Sequence, residues 1–279
     1  MNKIHFAVNA DTNYVFHMLS VAKCGYDNAY GEKYRGLYPA YDLAVIRNNS
    51  EFLTVCGGEH LGALYWLMVC EPSCAKIPAN KYYKNLLKSA SECRLNAEYT
   101  PYSETIKSVS EIMIKHYNSY IENIWPGEKE KIEKFVPPVL DYFEKTDFTE
   151  KAEKLVGTEL DNKFIATLVS SVKGGAEAID ISKEQDVFGV ERSVLDSVYF
   201  IGHEFIIYLL FKALEKENAF KSFETWSLTE GLAEYYLKII LGDTRFFNEQ
   251  QKYVDFYERC SNGAHLPAAE LYKLAFNEI

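Results

Sequence analysis

The sequence lacks an excess of basic residues. Its 279 residues include 30 Lys and Arg against 40 Asp and Glu, which gives a net charge of −10. Binding to nucleic acid or to an anionic membrane surface usually requires a cluster of positive charge. The 21 Tyr and 17 Phe therefore indicate a large aromatic core rather than a surface on which bases stack. The composition argues against nucleic acid as a partner.

Long apolar runs are also absent from this sequence. Leu61–Cys70 is apolar throughout, but this run is about half the length that a membrane span needs. The first residues, Met1–Asn13, contain no long apolar segment of the kind found in signal peptides. The sequence therefore predicts a cytoplasmic protein without contact to a membrane.

None of the six cysteines forms a C-x-x-C pair. Cys70 and Cys74 stand four positions apart around Pro72, which is neither a common zinc knuckle nor a redox motif. Without a signal peptide, reduced and buried thiols are the simpler expectation than disulfides.

What the sequence does contain predicts an α+β fold that is mainly α. Residues 1–135 are expected to form a helical N-terminal region. It should include a helix that is capped at Asp11 or Thr12 and runs to Cys24, a loop over Asp27–Tyr41 and an apolar helix over Glu59–Cys70. The clearest amphipathic pattern covers residues 102–125.

A charge-rich segment with Pro137 and Pro138 predicts short helices over 128–135 and 138–145 and a boundary between them. Residues 136–279 then form the second domain. Three runs with strand character come first, and helices follow. The runs are Lys163–Val172, Ala176–Ser182 and Asp186–Val190, and the helices are Glu191–Leu214, Thr225–Leu241, 248–260 and 266–277.

Two segments of this second domain carry the residues of chemical interest. His203 and Glu204 are adjacent within an apolar helix, and Glu230 and Glu234 are four positions apart on the next helix. Residues at i and i+4 share one face of a helix, so both glutamates can face the same neighbour.

This pattern resembles the zinc site of the gluzincin metallopeptidases, in which H-E-x-x-H is followed by a glutamate in an E-G-x-A-E context. The resemblance implies that His203 and Glu230 are metal ligands, that Glu204 is the general base and that Glu234 supports the site. It also implies that Gly231, which has no side chain, leaves space beside Glu230 on the helix face that carries the metal ligands. A sheet edge near residues 176–190 would hold extended substrate, and Tyr253, Tyr257 or His265 would donate a proton.

One ligand of the motif is missing. Ile207 occupies the position of the second histidine, so the site is one ligand short of the usual catalytic three. Tyr208, Glu234, a residue on a distant loop or water could replace that ligand. The sequence favours a degenerate site over a competent zinc centre, but it does not decide whether zinc is a cofactor.

Three functions are compatible with this pattern. The first is a pseudo-peptidase that binds a peptide or protein partner in the old substrate groove. The second is an active zinc hydrolase with a substituted ligand, and the third is an unrelated helical interaction protein. In the simplest interpretation, His203 is a core histidine that hydrogen bonds to a backbone carbonyl or to Glu234.

Overall fold

The computed structural model describes residues 2–56, 60–173, 177–216, 226–242, 251–261 and 266–278. It confirms an α+β fold that is mainly helical. The described helices are α1 Ala10–Ala22, α2 Ala29–Arg35, α3 Ala40–Asn48, α4 Ser50–Leu53, α5 Glu71–Cys74, α6 Ala79–Ser91, α7 Ser103–Asn123, α8 Trp125–Lys145, α9 Phe148–Val156, α10 Val194–Lys216, α11 Trp226–Leu241, α12 Gln251–Ser261 and α13 Ala268–Glu278. A π-helix covers Trp66–Cys70.

The described strands form a four-stranded sheet in the order β1-β4-β6-β5 and a two-stranded sheet of β2 and β3. Their bounds are β1 Ile4–Ala7, β2 Val55–Cys56, β3 His60–Leu61, β4 Phe164–Val169, β5 Glu177–Asp180 and β6 Gln185–Gly189. β5 and β6 are antiparallel, and Ala178 is paired with Asp186. All three strand predictions of the second domain are thereby confirmed. Its helices are confirmed over the described residues, and positions 225 and 248–250 of the predicted helices lie outside them.

The chain divides into two compact units. Unit 1 contains residues 1–5, 136–166 and 193–279, and unit 2 contains residues 6–135 and 167–192. The strand-forming residues 167–192 therefore cluster with the N-terminal helices, whereas His203, Glu204, Glu230 and Glu234 all lie in unit 1.

Helix α10 is the core element of unit 1. Phe205 lies in an aromatic cluster with Phe148 and Phe164, at ring-centroid distances of 6.0 and 6.1 Å. By length and composition α10 is the one described helix that could cross a bilayer, but 67% of its most apolar window is buried. A helix that is apolar on most faces is also what the centre of a protein core contains.

Four expectations about the N-terminal 145 residues were wrong. Helix α1 is capped by Asn9, whose side chain accepts hydrogen bonds from the backbone amides of Asp11 and Thr12, and not by Asp11 or Thr12. Instead of an apolar helix over Glu59–Cys70, His60–Leu61 forms β3 and Trp66–Cys70 forms a π-helix.

The predicted loop over Asp27–Tyr41 contains α2, which Asn28 caps by accepting a hydrogen bond from the backbone amide of Gly31 at 2.9 Å. The two short helices around Pro137 and Pro138 are one continuous helix, α8. Both prolines are exposed, so water can hydrate the carbonyl groups that a proline leaves without an amide donor.

Gly231 has a packing role instead of the expected role at the metal face. A Cβ atom on Gly231 would lie 2.3 Å from Cβ of Tyr253, so the missing side chain lets α12 approach α11 closely. The glycine faces α12 because it is rotated by about 100° around the helix from Glu230.

We predict that Gly231→Ala lowers the free energy of unfolding by about 1–3 kcal/mol, because the added methyl group overpacks the contact with Tyr253. Gly127→Ala is the matched control, since nothing lies within 4 Å of a Cβ atom at that helical position. Urea unfolding of both variants measures the difference. Equal stability of the two variants would contradict the packing role of Gly231.

Candidate functional site

Helices α10 and α11 run antiparallel, and three contacts fix their register. The rings of Phe211 and Trp226 lie 5.2 Å apart at one end. The hydroxyl of Tyr199 lies 3.3 Å from the carbonyl oxygen of Leu241 at the other end. His203 lies between these two contacts, opposite the face of α11 that carries both glutamates.

The side chain of His203 is held between two carboxylates. Its Nδ1 atom lies 2.7 Å from Oε1 of Glu234, and its Nε2 atom lies 2.9 Å from Oε2 of Glu230. The imidazole is 2% exposed, and the carboxylates of Glu234 and Glu230 are 1% and 16% exposed. A carboxylate can only accept, so the imidazole donates from both nitrogens and carries two protons.

The electrostatics agree with this assignment of protons. Burial disfavours the charged imidazolium and lowers the pKa of His203. Hydrogen bonds to Glu230 and Glu234 and the negative charges of Glu230 and Glu204 outweigh burial and hold that pKa well above its usual value. We therefore describe His203, Glu230 and Glu234 as the Glu-His-Glu cluster, with a positive charge between two negative ones.

A second buried histidine shows that the partners decide the charge. His17 of unit 2 contacts the hydroxyls of Tyr30 and Tyr38 at 2.8 and 2.7 Å. Burial lowers the pKa of His17 to about 3, because no carboxylate offsets the cost of a buried charge there. The two imidazoles are equally inaccessible, yet one is neutral and the other is a cation.

The other two motif positions lie on α10. Ile207 is one helical turn after His203 and is 2% exposed, so an apolar side chain fills the place of the second imidazole. Glu204 is partly exposed, and its negative charge contributes to the raised pKa of His203. The structure thus brings together His203, Glu230 and Glu234, whereas Glu204 is linked to them through the effect of its charge on His203.

The donor set does not fit a catalytic zinc ion. Two ligands of one tetrahedral zinc, at about 2.0–2.1 Å each, would lie about 3.3 Å apart. The Nε2 atom of His203 and Glu230 Oε2 are 2.9 Å apart, a hydrogen-bonding distance. Outside the gaps in the described chain, no three His, Cys, Asp or Glu side chains are arranged to hold a metal ion.

The structure also places two of the three candidate proton donors and the predicted edge strand. The hydroxyl of Tyr257 donates to the carbonyl oxygen of Leu228 at 2.9 Å and is buried, so it serves packing. Tyr253 packs against Gly231, and His265 lies outside the described residues. β5 is an edge strand, as expected. Its Ala178 carbonyl already faces the hydroxyl of Tyr65 at 3.3 Å, which leaves fewer groups for a substrate main chain.

Each unit has a described cavity that the sequence did not indicate. The cavity of unit 1, about 620 Å³, includes Ala213 and Lys216 of α10 and Lys273 of α13, but none of the Glu-His-Glu cluster. The cavity of unit 2, about 560 Å³, is lined by the π-helix and β5. Among the residues that line the unit 2 cavity, the sequence analysis had singled out only the pair of Cys70 and Cys74, and their spacing did not indicate a binding site.

In comparisons with known proteins, no protein-family model matches the chain, and no curated protein or solved structure matches it. The likeness to gluzincins therefore rests on the motif residues themselves.

We predict an alkaline loss of stability that depends on the cluster. The pKa of His203 is raised above the value of about 6.5 expected in the unfolded chain, so the folded chain binds more protons above that pH. Its stabilising contribution is full below pH 6.5 and falls as the pH rises through the folded pKa. Urea unfolding of the protein between pH 6.5 and 10 measures this loss.

The control is the double variant Glu230→Gln/Glu234→Gln, which keeps similar shapes but removes the two negative charges. Other alkaline titrations are common to both proteins and cancel in the difference. An equal loss of stability in both proteins would show that His203 is neutral in the folded state.

Proposed function

We propose that unit 1 is a metallopeptidase-like domain without peptidase activity, and that it binds a peptide or protein partner. One observation carries the proposal. Both ring nitrogens of His203 are engaged by carboxylates while Ile207 fills the place of the second ligand. An imidazole that is protonated on both nitrogens must lose a proton and a carboxylate partner before it can ligate a metal, which opposes zinc binding.

The electrostatics of the cluster support loss of hydrolysis. In a metallopeptidase the glutamate after the first histidine acts on a water that the zinc ion activates. Because His203 and Glu230 pair with each other, no zinc-activated water is expected beside Glu204. The carboxylates serve instead to stabilise a buried cation and to pin α10 against α11.

Binding needs only the scaffold, and unit 1 keeps a concave surface. Its cavity of about 620 Å³ has the size of ordinary ligand sites. It begins ten residues along α10 from His203, so a ligand there would not contact the cluster. A partner that docks at this cavity would therefore bind to unit 1 without any need for catalytic residues or a metal ion.

An active zinc hydrolase is the second candidate, and one observation favours it. The Nδ1 atom of His203 faces Glu234, as a zinc-bound histidine commonly faces a carboxylate that orients it. In that case Glu230 would release Nε2 to the metal, and an unidentified group would replace Ile207.

The two candidates differ in metal content. We predict that protein purified without chelators or a polyhistidine tag contains far less than one zinc per chain by elemental analysis. One equivalent of zinc that is lost in Glu230→Gln would instead establish a zinc site at Glu230, favour the hydrolase and overturn the proposal.

A gain-of-function substitution tests the geometry itself. We predict that Ile207→His raises zinc affinity by about a hundredfold or more, since it adds the third ligand on the metal face. Ile206→His is the matched control, because this position is equally buried but is rotated by about 100° from that face. Competition with a chromophoric chelator measures both. Equal affinities would contradict the gluzincin-like arrangement.

A further inference from the structure

The cavity of unit 2 lies between the π-helix and the end of β5. Trp66 and Cys70 of the π-helix, Glu71 and Cys74 of α5 and Tyr82 of α6 line one side. The opposite side is formed by Ile179 to Lys183. Its volume of about 560 Å³ is typical of sites for small organic molecules or single peptide side chains.

The backbone on one wall of this cavity is unusual. Trp66–Cys70 is a π-helix, a rare form that occurs mostly as single turns and is frequent at functional sites. Trp66 at its start and Cys70 at its end both line the cavity. The wider turn thus shapes the wall, and the sequence had predicted an ordinary helix here.

The cavity has one charge that no ion pair balances. Asp180 is paired with Lys183 and also accepts a hydrogen bond from Ser182 at 2.6 Å. Glu71 accepts a hydrogen bond from the hydroxyl of Tyr82 at 2.7 Å. Among the residues that the structure describes, no lysine, arginine or histidine pairs with Glu71, which is exposed at the rim.

The thiols add no charge of their own. Burial raises the pKa of Cys74 to about 11 and raises that of Cys70 further, so both are neutral at physiological pH. Neutral thiols behave as small apolar groups, and Ile179 is buried beside them. The interior is therefore apolar and partly aromatic, and the net charge at its rim is −1.

We propose that this cavity binds an organic cation, an alkylammonium or alkylguanidinium group carried on an apolar stem. The stem would lie against Ile179 and the thiols, and the charged head would meet the carboxylate of Glu71 and the faces of Trp66 and Tyr82. Carboxylates and aromatic rings together recognise such cations. The group comes either from a free amine or from a Lys or Arg side chain of a peptide. The site lies in unit 2 and does not depend on the Glu-His-Glu cluster.

Cys74 provides a direct readout of occupancy. It lines the cavity and is partly exposed, whereas Cys93 is exposed and does not line it. We expect n-butylguanidinium to slow the alkylation of Cys74 in the full chain by iodoacetamide at pH 9, where part of the Cys74 thiol is ionised, without slowing that of Cys93. Peptide mapping by mass spectrometry follows both sites in one sample.

The matched variants are Glu71→Gln and Glu111→Gln, both surface positions in unit 2 whose change leaves the core intact. We expect Glu71→Gln to weaken protection by about threefold to fivefold, as the loss of one exposed charge contact implies, and Glu111→Gln to leave it unchanged. Acetyl-Ala-Arg-Ala-amide distinguishes the source. Tighter binding than n-butylguanidinium identifies a peptide side chain, and equal or weaker binding identifies a free amine.

Three results would overturn the proposal. The first is the absence of protection by either cation up to about 10 mM, a concentration that already detects very weak binding. The second is equal protection by the neutral analogue pentanamide. The third is an unchanged affinity in Glu71→Gln.

Discussion

The structure of unit 1 depends on a buried cation held between two carboxylates. Removal of the imidazolium of His203 and of both glutamates from water is costly, and their mutual attraction offsets this cost only when the hydrogen bonds are well formed. Both bonds are short, and they join α10 to α11 at the middle of the pair. The aromatic contact of Phe211 with Trp226 then completes a register in which Ile207 packs as an apolar residue.

The same constraint separates this site from a metal centre. A zinc ion would need the Nε2 lone pair of His203, but that nitrogen donates to Glu230. In a gluzincin, the histidine and the glutamate at these positions both bind the zinc ion. Here the carboxylate of Glu230 hydrogen bonds to the nitrogen of His203 that would bind zinc. With isoleucine at position 207, the imidazole of His203 and the carboxylate of Glu230 pair directly with each other.

Much of this architecture could be predicted from the sequence. The apolar run around His203 and the i, i+4 spacing of Glu230 and Glu234 gave two helices that face each other, and both bounds agree with α10 and α11 to within three residues. The strand runs were equally clear, because Lys163–Val172 is rich in strand-forming residues, Ala176–Ser182 alternates and a Gly-Gly turn separates the two. The fold class follows from these segments.

Other features could not be predicted, because they depend on tertiary contacts. Pro137 and Pro138 did not break α8, since both face solvent. The charge of His203 depends on burial and on carboxylates that are 27 and 31 positions away in the chain. The unit 2 cavity combines segments that are about a hundred residues apart, and the π-helix that shapes it has no sequence signature.

We infer that His203 is a doubly protonated imidazolium that zinc does not displace from its carboxylates. The nitrogen NMR spectrum of the histidine rings near pH 7.5, recorded before and after one equivalent of zinc and with His203 assigned by substitution, tests this inference. We expect two protonated ring nitrogens and a spectrum that zinc leaves unchanged. A neutral ring, or loss of the Nε2 proton with a metal-bound shift, would contradict it.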